Sequence, residues 1–178
     1  MPMGDIRIDQ ELANSICEET VIAKQNFSAH QFEHSLETQL PFLQYFKDKF
    51  KIVPICIKRL KLASCISLSE GIVRTLKSYD KPVLLVASSD MTHYESHDKA
   101  TIKDRKAIAC IENRDPHGLF ETVQSEKITM CGVNPVTVML LCSEKLGAKE
   151  AELVKYMTSG EVSGDMEKVV GYASMIIK

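Results

Sequence analysis

Five side chains in this sequence have the types and neighbours for chemistry: His34, Glu37, Asp90, His93 and Cys131. Each lies in a polar stretch beside an apolar element. Imidazole, carboxylate and thiolate together suit iron, copper or zinc rather than magnesium or calcium. Asp90 and His93 are three residues apart, a spacing at which a carboxylate can orient an imidazole. Cys131 stands three residues before Asn134-Pro135, which reads as the N-cap and first position of a helix. The positive partial charge of a helix N-terminus favours thiolate over thiol, and Gly132 lets the backbone approach a bound group. A thiolate there is a metal ligand or a nucleophile; a loop cysteine packed under the helix is the plainer alternative. His34 and Glu37 share one face of a helical pattern, where a simple surface pair is the alternative. Ser89, beside Asp90 and His93, does not make a hydrolase triad. No G-x-S-x-G surrounds it, and triad members come from separate elements. His93 and His97 have the four-residue spacing of a zinc pair but no H-E-x-x-H pattern. His30 and His117 read as surface residues.

The elements that must position these groups follow from periodicity. Val83 to Ala87 is an apolar, β-branched run that predicts a strand over 82–88, buried on both faces. Such a strand would deliver Ser88 to Glu95 at its carboxyl end, as open α/β sheets deliver their site residues. The alternative is that Ser89 and Asp90 only cap a turn. Asp9 reads as the N-cap of a first helix with Leu12, Ile16 and Val21 on its apolar stripe. Lys24 to Ala29 reads as linker with a short strand. Leu36, Leu40 and Leu43 predict a helical stripe over 33–43, kinked or restarted at Pro41. A strand over 51–57 contains Pro54, which favours an edge. A helix over 64–79 would turn Ile66, Ile72, Val73 and Leu76 inward. Lys99 to Asn113 is amphipathic, with Ile102 and Ala109 among its apolar positions. Asp115-Pro116 opens a helix to 124, residues 128–133 form a loop, and the Asn134-Pro135 helix ends at Gly147. Residues 153–158 and 169–177 read as two final strands. Helices alternating with strands and a closing strand pair predict an α/β fold, a mixed sheet flanked by helices, in one domain over 1–178.

Composition narrows the function classes. Of 178 residues, 44% are hydrophobic and 26% charged, which fits a globular domain. A net charge of −2 supplies no basic field for nucleic acid or anionic lipid. No apolar run approaches the roughly 20 residues of a membrane span. The N-terminal residues carry no signal-peptide pattern, and Pro2 excludes myristoylation, so a cytoplasmic location is expected. The six cysteines have no C-x-x-C spacing and read as reduced.

Several ordered blocks then carry a family resemblance. They are Pro2-Met3-Gly4-Asp5-Ile6-Arg7-Ile8-Asp9, Glu33-His34-Ser35-Leu36-Glu37-x-x-Leu40-Pro41, Ser88-Ser89-Asp90-Met91-Thr92-His93-Tyr94, Cys131-Gly132-x-x-Pro135 and Val169-Val170-Gly171-Tyr172-Ala173. In order and spacing the chain resembles the Memo family, whose prokaryotic members are called AmmeMemoRadiSam system protein B. That fold is similar to the LigB-type class III extradiol dioxygenases, which are non-haem iron enzymes. The resemblance implies that Cys131 is a metal ligand and His93 the catalytic acid/base, with Asp90 beside it. It places His34 in the pocket wall, supported by Glu37. It implies iron or copper, and dioxygenase-like or redox chemistry on a small substrate. The alternatives are a non-enzymatic protein binding a small molecule or phosphopeptide, or an inactive fragment. Family members begin with a portion bearing a proline-histidine-alanine-glycine-like motif and a later histidine, which supply the other two ligands. This sequence starts after it, with Met1 in place of a threonine, so an N-terminally truncated domain with an incomplete ligand set is expected. A homo-oligomer or a complementing polypeptide would then cover its exposed apolar edge.

Overall fold

The computed structural model describes residues 4–178; Met1, Pro2 and Met3, which open the first family-like block, lie outside the described residues. The chain forms two compact units, Met1–Leu84 and Leu85–Lys178.

In the first unit, β1 (Arg7–Ile8) pairs in parallel with β2 (Lys51–Ile52). Helix α1 (Gln10–Glu19) starts where expected: Asp9 accepts the Leu12 amide at 3.3 Å. Leu12 and Ile16 are buried, but Val21 lies past the helix end and is exposed. Residues 27–30 form a short helix, α2 (Phe27–His30), capped by Asn26, in place of the expected linker strand. Pro41 marks a fresh start: α3 (Leu40–Phe46) begins there, and 35–39 is turn. The strand expected over 51–57 stops after two residues, before Pro54, which has no amide hydrogen for a ladder. Helix α4 (Leu62–Ser78) packs on α1. Ile72 and Val73 are buried on it as expected, while Cys65 and Leu68 take the places assigned to the half-buried Ile66 and Leu76. Gly71 makes the close approach between α1 and α4 feasible, since a Cβ there would lie 2.3 Å from Thr20 Cγ2 and 2.7 Å from the Glu19 carbonyl.

The second unit contains a three-stranded antiparallel sheet, in the order β3 (His93–Glu95), β5 (Val169–Ile177), β4 (Ala151–Thr158). Helices α5 (His97–Glu112), α6 (Pro116–Ser125) and α7 (Val133–Leu146) accompany it, and α8 (Gly160–Ser163) sits between the long strands. Asp115 caps α6 through the Gly118 amide at 2.8 Å, and Gly147 ends α7 with a left-handed φ of 96°. The core joins Met91, Ile108, Leu119, Met130, Val136 and Leu140. The buried face of α5 runs through Ala100, Asp104, Ala107, Ile108 and Ile111, and Ile102 is exposed.

The protein is therefore mixed α/β, with its parallel and antiparallel pairs in two small sheets. The strand expected over 82–88 is not formed. Leu84 is 75% and Val86 49% exposed, and among the described residues no strand pairs with the run. An apolar run becomes a strand only where a neighbour supplies hydrogen-bonding partners. Here β4 and β5 take each other. No helix among the described residues is long and apolar enough to cross a membrane.

Two outcomes follow. Leu140→Ala, at a fully buried position, should cost about 2–5 kcal/mol in urea unfolding. The Tyr79 hydroxyl donates to Asp9 Oδ2 at 2.8 Å and, with the Leu12 amide, holds the Asp9 carboxyl below the usual range. A lowered carboxyl pKa contributes stability above the unfolded value near 3.9, and that stability is lost as pH falls through the folded value. Tyr79→Phe should thus destabilise the chain at neutral pH, and its deficit in denaturant unfolding should shrink in acid.

Candidate metal centre

Two irregular segments, residues 88–92 and 128–132, run beside one another and present the candidate residues. Each alternates. In the second, Ile128 and Met130 enter the core while Thr129 and Cys131 face out. In the first, Met91 and Thr92 are buried, with Asp90 and His93 on either side of them. The segments are joined by their own polar atoms. The Gly132 amide donates to Ser89 Oγ at 2.8 Å, and Ser89 donates to the Asp90 carbonyl at 2.7 Å. The Asp90 amide donates to Cys131 Sγ at 3.2 Å. The His93 amide donates to Thr129 Oγ1 at 2.7 Å. Gly132 has to be glycine for this: a Cβ there would sit 2.5 Å from Ser89 Cβ and 2.7 Å from the Ser88 carbonyl.

His93 is aimed by two features. Its partner Val170 is followed in the register by Glu95 opposite Val169, so Tyr94 is an extra residue in the strand. Tyr94 takes a left-handed φ of 60°, a bulge conformation that is costly for an aromatic residue and turns the strand locally. Then His93 Nδ1 meets the Thr129 carbonyl at 2.8 Å. A carbonyl only accepts, so Nδ1 carries the hydrogen. His93 Nε2 lies 3.5 Å from Asp90 Oδ2. A neutral ring would set a lone pair against a carboxylate, and a proton or a metal cation between them satisfies both.

One oxygen of Asp90, one ring nitrogen of His93 and Cys131 Sγ all lie within 4.8 Å of one another. Nitrogen, oxygen and sulfur donors fit iron, copper or zinc, and small side-chain rotations would bring this spacing to one ion. The Nδ1–H···O=C bond is the outer contact that usually orients a ligating imidazole through its other nitrogen.

The remaining expected residues are not in this group. His34 and Glu37 belong to the first unit and are exposed. They do not share a helical face, because 35–39 is turn and the helix begins at Leu40. That turn is instead organised by Glu33, which accepts the Ser35 and Leu36 amides at 2.7 and 3.2 Å. His97 Nδ1 bonds Thr158 Oγ1 at 2.9 Å and is not in the group with His93. Asn134 is not the cap of α7. It is buried inside the first turn, and Gly132 occupies the cap position. Thr129 and the linking role of Ser89 were not legible; the alternation Ile128-Thr129-Met130-Cys131 was the available signal for Thr129.

All six cysteines are free thiols, with Cys56 and Cys131 exposed and Cys65 and Cys142 buried. Burial pushes the Cys142 thiol up to about 12. Alkylation followed by peptide mapping should therefore label Cys131 and Cys56 in the folded chain, and Cys142 only on unfolding. Gly132→Ala should cost about 1–3 kcal/mol by overpacking the two segments. Ser89→Ala, which removes only the hydroxyl, should cost nearer 1 kcal/mol. Chemical denaturation of the two variants compares these.

A family model described as Memo-like protein matches residues 1–176. The chain is 40% identical over 178 residues to a MEMO1 family protein of Methanopyrus kandleri, covering 99% of this chain and 63% of that protein. It is 39% identical over 177 residues to one of Methanobrevibacter smithii, again 99% of this chain and 63% of the relative. It is 42% identical over 175 residues to one of Sulfolobus acidocaldarius, with 98% and 61% covered. The chain thus spans less than two thirds of these curated relatives' length.

Proposed function

The chain belongs to the Memo-like protein family, and from that membership and the site geometry we propose that it contributes Cys131, His93 and Asp90 to a non-haem metal centre acting on a small substrate. The observation that carries this reading is the convergence of the three donors within 4.8 Å, with His93 Nε2 left to face them. Iron or copper bound there would supply Lewis-acid and redox chemistry.

The residues have separate tasks. Cys131 is the anchoring ligand, exposed at the start of α7 and steadied by the Asp90 amide. His93 holds or delivers a proton at Nε2, its ring fixed from behind by the Thr129 carbonyl. Asp90 stabilises the protonated ring across 3.5 Å.

Elemental analysis after anaerobic loading with iron or copper and desalting tests this. The chain should retain near-stoichiometric metal, and Cys131→Ala should lose nearly all of it. His93→Gln should keep most of the metal while losing proton-transfer chemistry. Equal metal in the parent and in Cys131→Ala would remove Cys131, and with it the reading.

A further inference from the structure

We propose that Asp104 is the positioning residue of this centre: a buried carboxylate on α5 that fixes the backbone between Asp90 and His93 so that both converge on Cys131. The inference rests on the metal-centre reading for its functional meaning, and on geometry alone for the anchoring.

Asp104 is fully buried, on a helix face otherwise made of alanine and isoleucine. Its Oδ1 accepts the Thr92 amide at 2.9 Å and its Oδ2 accepts the Tyr156 hydroxyl at 2.9 Å. A carboxylate taken out of water is stabilising only when its oxygens are well bonded, and an apolar residue of similar size usually serves stability as well. What Asp104 adds is direction. Burial, and then the neighbouring Asp104 charge, push the Tyr156 phenol up, so the hydroxyl remains a donor.

Thr92 is the pivot of the site. The Met91 amide donates to the Gly171 carbonyl and the Gly171 amide to the Thr92 carbonyl, each at 2.9 Å. The Thr92 amide is the one that points to the helix and not to β5. Held there, Thr92 sends His93 toward Thr129 and leaves Asp90 beside Cys131. Gly171 shows how tightly this is built: a Cβ at that position would lie 1.9 Å from Asp104 Oδ2 and 3.2 Å from Met91 Cβ. Only a residue without a side chain leaves room for the carboxylate.

Amide hydrogen exchange on the metal-free 178-residue chain, paired with cobalt(II) titration followed by thiolate-to-cobalt absorption, tests the proposal. In Asp104→Ala the His93 amide, bonded to Thr129 and not to Asp104, should exchange at least about tenfold faster, while Leu140 and Leu141 amides keep their protection. Cobalt should bind about 10–100-fold more weakly, the usual effect of losing an outer contact of a metal site. Asp104→Asn keeps an oxygen for the Thr92 amide and should stay close to the parent in both readouts. If Asp104→Ala does not fold, Tyr156→Phe replaces it and should shift the His93 amide in the same direction by a smaller factor. Unchanged His93 exchange, an equal loss of protection throughout α7, or parent-like cobalt affinity would each overturn the assignment. So would Asp104→Asn matching Asp104→Ala. A parent chain that binds no cobalt would sink the metal reading, and the exchange data would still decide whether Asp104 anchors the segment.

Discussion

Two stretches of chain without regular secondary structure are held side by side by main-chain amides that would otherwise have no strand to bond. The Asp90 amide finds the Cys131 sulfur, the His93 amide finds Thr129, and the Gly132 amide finds Ser89. Backbone donors that find no strand ladder take other partners, and here the side chains of the facing segment supply them. That requirement fixes which side chains face each other. With Met91, Ile128 and Met130 committed to the core, Asp90, His93, Thr129 and Cys131 gather beside one another.

The chemistry of the site follows from this stitching more than from any single residue. A histidine whose Nδ1 is tied to a carbonyl has one nitrogen left for function. That nitrogen faces a carboxylate and a thiol, an arrangement that calls for a proton or a cation at its centre. The bulge at Tyr94 supplies the turn that brings the ring there. The cost of a left-handed aromatic residue is met by the surrounding sheet and loop bonds, as at many functional sites.

Much of the second unit could be read from the residues. Asp115, Gly147 and the long strands 151–158 and 169–177 carry strong local signals, and they fall where expected within a few residues. Asp90, His93 and Cys131 were legible by type and by their ordered blocks, and the structure brings them together. The first unit was less legible. Pro41 was ambiguous between a kink and a restart, which decided whether His34 and Glu37 would share a face. The apolar run 82–88 misled because hydrophobicity marks what can be buried, while strand formation also needs a neighbour with free hydrogen-bonding groups. Asn134 misled because a good capping residue loses to glycine when the backbone must pass close to Ser89. Asp104 left a signal that periodicity alone undervalues: one carboxylate on a face of alanine and isoleucine.

The central claim is that Cys131 ligates metal at the place where Asp90 and His93 converge on it. X-ray absorption at the metal edge of the iron- or copper-loaded chain addresses it directly. The account expects one sulfur scatterer together with nitrogen or oxygen scatterers, the sulfur vanishing in Cys131→Ala. A loaded chain showing only nitrogen and oxygen neighbours would contradict it.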